Sequence, residues 1–113
     1  MDLYEQITRL MAELTASIRK LRDNGANLAD AERDYKITLR KEALKLRADD
    51  MPVTLINQII YGVPEVAEKR FKRDVEQANY DANKEYINVC KLQLRILEAQ
   101  LSREWTNAGK AEI

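Results

Sequence analysis

Histidine is absent from this 113-residue chain, which removes the commonest general base, proton shuttle and metal ligand. Cys90 is its one cysteine, so no intrachain disulfide is possible and no Cys–His nucleophile can form. There are three glycines (Gly25, Gly62, Gly109) and two prolines (Pro52, Pro64), too few for a sheet protein full of turns. Net charge is zero, with 19 basic and 19 acidic residues, so global electrostatics gives no reason to expect DNA or an anionic membrane as partner. No apolar run approaches the roughly 20 residues of a membrane span. The start, Met1-Asp2-Leu3-Tyr4-Glu5, has neither a basic nor an apolar leader region, so a cytoplasmic location is expected.

What is present is 45% apolar and 34% charged residues, the profile of long amphipathic helices. Leu3, Ile7, Leu10, Leu14, Ile18 and Leu21 recur every three or four residues, and the beat continues through Gly25, Leu28, Tyr35, Leu39 and Leu46. Because the stripe crosses Gly25 in phase, one helix over about 2–47 is expected, in preference to a break at Asn24-Gly25. The steps mix three-four with four-four spacing and do not specify a heptad seam. Asp49-Asp50-Met51-Pro52 ends this helix. Thr54 is an expected N-cap for a short apolar helix over about 54–61, which Gly62 stops. A last helix over about 64–107 opens on Pro64. It carries one stripe through Phe71, Val75, Ala78, Ala82, Tyr86, Val89, Leu92 and Ile96, and another through Ile87, Cys90, Leu94, Leu97, Leu101 and Trp105.

The fold read from these features is all-α: a single domain over 1–113, in which two long helices return antiparallel around a short connecting helix, coiled-coil-like. Apolar residues cover well over half of the helical wheel between 86 and 105, more than one partner helix can cover. Assembly into a multi-helix bundle is therefore expected, with a homodimer favoured. The expected interface is Tyr86, Ile87, Cys90, Leu94, Leu97, Leu101 and Trp105 with Leu3, Ile7, Leu10 and Leu14. The alternative is that the short middle helix folds over this face. Asn57 and Gln58 in that helix fit either an end cap or a docking knob.

No catalytic residue, cofactor or metal site is expected. Asp49-Asp50 has no matching carboxylate cluster or calcium-loop spacing and reads as a polar turn. No glycine-rich phosphate loop occurs. Two basic clusters do occur near the connector: Arg40, Lys41 and Arg47, and Lys69, Arg70, Lys72 and Arg73. They are candidate nucleic-acid contacts, although Asp49, Asp50, Glu65, Glu68 and Asp74 lie among them and a solvated, salt-bridged surface is the simpler reading. The run from Thr54 to Arg73 imitates a helix-turn-helix poorly, since its second helix runs on far past recognition-helix length.

Three blocks resemble small uncharacterised all-helical proteins encoded by tailed phages and prophages of Gram-positive bacteria. They are Leu44-Lys45-Leu46-Arg47 through Met51-Pro52-Val53-Thr54, the run Ala67-Glu68-Lys69-Arg70-Phe71-Lys72-Arg73-Asp74, and Leu92-Gln93-Leu94-Arg95-Ile96-Leu97-Glu98 through Arg103-Glu104-Trp105. The resemblance implies a phage accessory protein in the host cytoplasm, with no catalytic residues. The functional expectation is a non-enzymatic protein acting by self-association and protein binding as a scaffold or accessory. The alternative is a nucleic-acid-associated accessory protein of phage DNA replication or recombination.

Overall fold

A computed structural model describes residues 2–111. The element order is α1 (Leu3–Ala48), α2 (Val53–Ile59), a 3₁₀ turn over Ile60–Gly62, and α3 (Pro64–Ala111), with no strand among the described residues. The expected helices are therefore present. α1 passes through Asn24-Gly25 without a break, and α3 runs four residues beyond its expected end. No helix among the described residues is long and apolar enough to cross a membrane.

Local chemistry explains the boundaries. Asp2 caps α1: its carboxylate accepts the backbone N–H of Glu5 at 2.8 Å and its carbonyl accepts that of Gln6. At the other end the Met51 N–H reaches the Leu46 carbonyl and the Asp50 N–H reaches the Arg47 carbonyl. These two bonds form a Schellman motif, with Asp50 in the left-handed region at φ 64°. Its accompanying apolar contact is made by Leu46 and Met51, which share the same core cluster. Arg47 adds a bond from its guanidinium to the Met51 carbonyl at 3.1 Å. The cap of α2 differs from expectation. Pro52 holds that position in extended conformation with no side-chain cap, and Thr54 lies inside the first turn. Proline wins because its fixed φ and missing N–H suit a helix start. Gly62 closes the connector without a left-handed φ, so here it is no helix-stop glycine in that sense.

The chain forms two compact units. The first takes its described residues from Met1–Arg22 and Ala82–Ile113, the second from Asp23–Asp81. In each, α1 and α3 run antiparallel.

In the first unit the packed seam of α1 is Leu3, Ile7, Leu10, Leu14, Ser17 and Leu21, and that of α3 is Asn83, Ile87, Cys90, Leu94 and Leu97. The steps are strictly three and four, so this is a heptad seam after all. The difference from the sequence reading lies in one residue: Ser17 is buried while Ile18 is exposed. Leu10, Ile87 and Cys90 are its most buried apolar side chains. Cys90 is a packed thiol, 1% exposed.

In the second unit α1 continues the repeat through Asn24, Leu28, Ala31 and Tyr35. Tyr35, Ile56, Ile60 and Val66 form its core, with Leu39, Ala43, Leu46, Met51 and Val63 packed around them. Burying an isoleucine or valine in this way contributes about 1.5–3 kcal/mol each. The connector is thus a clamp: Ile56 and Ile60 point inward, and Val66 is wholly buried. The clamp sets the phase of α3, whose inward residues then become Lys69, Arg73, Glu76 and Tyr80. Polar side chains enter this seam by laying their apolar parts along it. The Arg73 guanidinium stacks on the Tyr35 ring at 4.6 Å from its centroid. The apolar stripe beginning at Phe71 and Val75, which reads from the sequence as a packed face, is consequently turned outward.

Candidate functional site

The helices position two kinds of feature that could act on another molecule: apolar faces left in water, and cations near the connector.

In the first unit, Val89, Leu92 and Ile96 lie outside the seam of α3 and are exposed, Ile96 at the edge that borders α1. They follow the same three-four repeat as the seam, displaced around the helix. On the side of α1, Tyr4, Met11 and Ile18 are exposed at exact seven-residue intervals, flanking the seam. A shallow groove runs between the two helices, lined by Gln6, Arg9, Leu10, Glu13, Gln93, Ile96 and Leu97. Above it the Tyr86 hydroxyl donates a 3.0 Å hydrogen bond to the Glu13 carboxylate. A hydrogen bond with the Cys90 thiol, then the one with Glu13, pushes the Tyr86 phenol up to about 12.

The structure divides the interface expected from sequence. Leu10, Ile87 and Cys90 are buried, and Leu3, Ile7, Leu14, Leu94 and Leu97 half-buried, because α1 and α3 use them against each other. Tyr86, Leu101 and Trp105 remain exposed, Trp105 at 80%. Val89, Leu92 and Ile96 are exposed as well. The sequence shows them as a stripe, but not that the other stripe would win the seam.

In the second unit the outer face of α3 bears Phe71, 70% exposed, with Val75 and Ala78 following it. Ile37 and Leu44 stand out on α1, and Val53, Leu55, Ile59 and Tyr61 on the connector. The short helix is therefore both cap and surface: Ile56 and Ile60 close the core while its remaining apolar residues face solvent.

The expected nucleic-acid cluster is only partly free. Arg47 binds the Met51 carbonyl, Arg70 lies over the Tyr61 ring at 5.0 Å, and Arg73 is held by Tyr35 and by Asp74 at 2.8 Å. Three of its seven cations are thus engaged within the chain, Arg47 and Arg70 at the connector and Arg73 on α1 and its own helix. Arg40, Lys41, Lys69 and Lys72 enter no ion pair among the described residues.

No group of three potential metal ligands occurs among the described residues. Comparison of the chain with protein families, curated proteins and solved structures finds no match.

Proposed function

We propose that the protein acts without catalysis, by associating with itself and with other proteins through the outer faces of its helices, as a scaffold or accessory component. One observation carries this reading. Among the described residues seventeen large apolar side chains are exposed, against eight buried apolar ones. Scattered apolar residues on a surface need no explanation, but rows in register on a helix do. A helix with an apolar repeat outside its seam is built to be contacted there as well. α1 occupies the seam of α3 in the first unit, and Val89, Leu92 and Ile96 form an exposed row outside it. A dimer is the smallest assembly that covers this row. The phage accessory role rests on the three resembling sequence blocks, and the absence of histidine supports a role without chemistry.

The test is solution mass by light scattering across a concentration series, for the wild type and for Leu92→Lys with Ile96→Lys. Both positions are exposed, so the variant retains its helicity. The expected result is an associated wild type and a lighter variant. A wild type that stays monomeric at every concentration overturns the proposal.

A further inference from the structure

We infer that in the self-associated protein the outer face of α3 in the second unit is covered by the outer face of α1 from a second copy. This rests on the self-association proposed above and names the surfaces that meet.

The two faces are complementary. On α1, Ile37 and Leu44 are 59% and 61% exposed and lie seven residues apart, with Ala48 in line four residues further on. At 100° per residue, Lys36 and Arg40 flank this row on one side and Lys41 and Lys45 on the other. Lys36 is 3.6 Å from Glu32 and Lys45 3.1 Å from Glu42, while Arg40 and Lys41 are in no ion pair among the described residues. The face is an apolar row between two rows of cations.

On α3, Phe71 and Ala78 also lie seven residues apart, with Val75 between them. Glu68, Asp74 and Asp81 share this outward arc, and Lys72 stands at its edge. Asp74 is tied to Arg73 at 2.8 Å. Asp81 accepts the Gln77 amide at 3.1 Å, and neither Asp81 nor Glu68 has a salt bridge among the described residues. The face is an apolar row between carboxylates.

A shared seven-residue repeat lets two such helices interdigitate, and flanking charges of opposite sign decide which pairs do so. Pairing α1 with α1 of another copy would bring Arg40 and Lys41 against like charges, which opposes that arrangement. Pairing α1 with α3 matches them. Each face is turned away from the seam between α1 and α3, so the two are on opposite sides of this unit. One partner related by a two-fold axis cannot meet both, and the contact runs head to tail. Mass should therefore grow past the dimer as concentration rises.

The experiment is a charge swap read by light scattering in 0.1 M salt, with circular dichroism to confirm the fold. Three proteins join the wild type: Arg40→Glu with Lys41→Glu; Glu68→Lys with Asp81→Lys; and all four changes in one chain. Each pair alone is expected to weaken growth beyond the dimer at least tenfold, and the combined chain to regain it. If the wild type associates but neither pair changes its mass, the inference is overturned and the broader proposal stands. If both pairs weaken growth and the combined chain does not recover, the two faces do not meet and the inference is again overturned. If the wild type is monomeric throughout, self-association itself fails and the inference with it. Should the α1 pair leave the mass unchanged yet abolish retention on anionic lipid vesicles, the basic face belongs to a membrane surface instead.

Discussion

The side-chain amide of Asn83 donates a 2.9 Å hydrogen bond to the backbone carbonyl of Ser17, across the seam of the first unit. Polar residues thus sit where a heptad seam usually carries leucine. A polar side chain at such a position fixes register at a cost in stability. Asn83→Ala is expected to lower stability by about 1 kcal/mol through loss of the bond. Asn83→Leu is expected to raise the thermal midpoint while broadening amide signals, as alternative registers become accessible. Thermal unfolding and a two-dimensional NMR spectrum check both, and a destabilised Leu variant with sharp signals would contradict the argument.

Gly25 lies inside α1, and an added Cβ would sit 3.6 Å from the Tyr80 ring, an ordinary contact. Gly25→Ala should stabilise the protein by about 1 kcal/mol, the helix-propensity difference between the two residues. Urea denaturation measures it directly.

Asp50 adopts a left-handed φ of 64° in the Schellman motif that ends α1. Glycine takes that conformation freely. Asp50→Gly is expected to gain about 0.5–1 kcal/mol, and Asp50→Val to lose more than that, in the same assay.

The Tyr86 phenol, held up to about 12 by Cys90 and Glu13, should titrate well above the usual tyrosine value near 10. A raised folded-state value means the neutral phenol favours the fold. This contribution is complete below pH 10 and disappears as pH rises toward 12. Ultraviolet titration of the wild type against Tyr86→Phe isolates the group, and a difference spectrum centred near 10 would refute the coupling to Cys90 and Glu13.

The three-helix plan was legible in the sequence because it depends on strong punctuation. The Asp-Asp-Met-Pro stop and Pro64 bracket the connector, and nothing between Leu3 and Ala48 can end a helix except Gly25. The seam was harder to read. Ile18 is apolar and Ser17 polar, yet Ser17 is the buried one. Apolar periodicity locates a face only to within one residue, whereas burial follows the partner helix. α3 offered two stripes, and which of them faces α1 in the first unit depends on packing that no local pattern contains. For the same reason the sequence does not divide the candidate surface into residues of the seam and residues outside it. The sequence showed that excess apolar residues exist, and the structure shows which of them α1 leaves uncovered. Likewise, Arg70 and Arg73 look like free charge in the sequence, and the rings that hold them come from distant positions.

Cys90, 1% exposed in the first unit, also gives the molecule an internal clock. A thiol reagent cannot reach it until the helices around it part, so labelling proceeds only as fast as that opening allows. When reclosing outruns the reagent, the retardation relative to a free thiol is itself the equilibrium constant for opening. With one thiol in the chain, that reading carries no background from any other site, and it follows how firmly α3 is held each time a new partner is added.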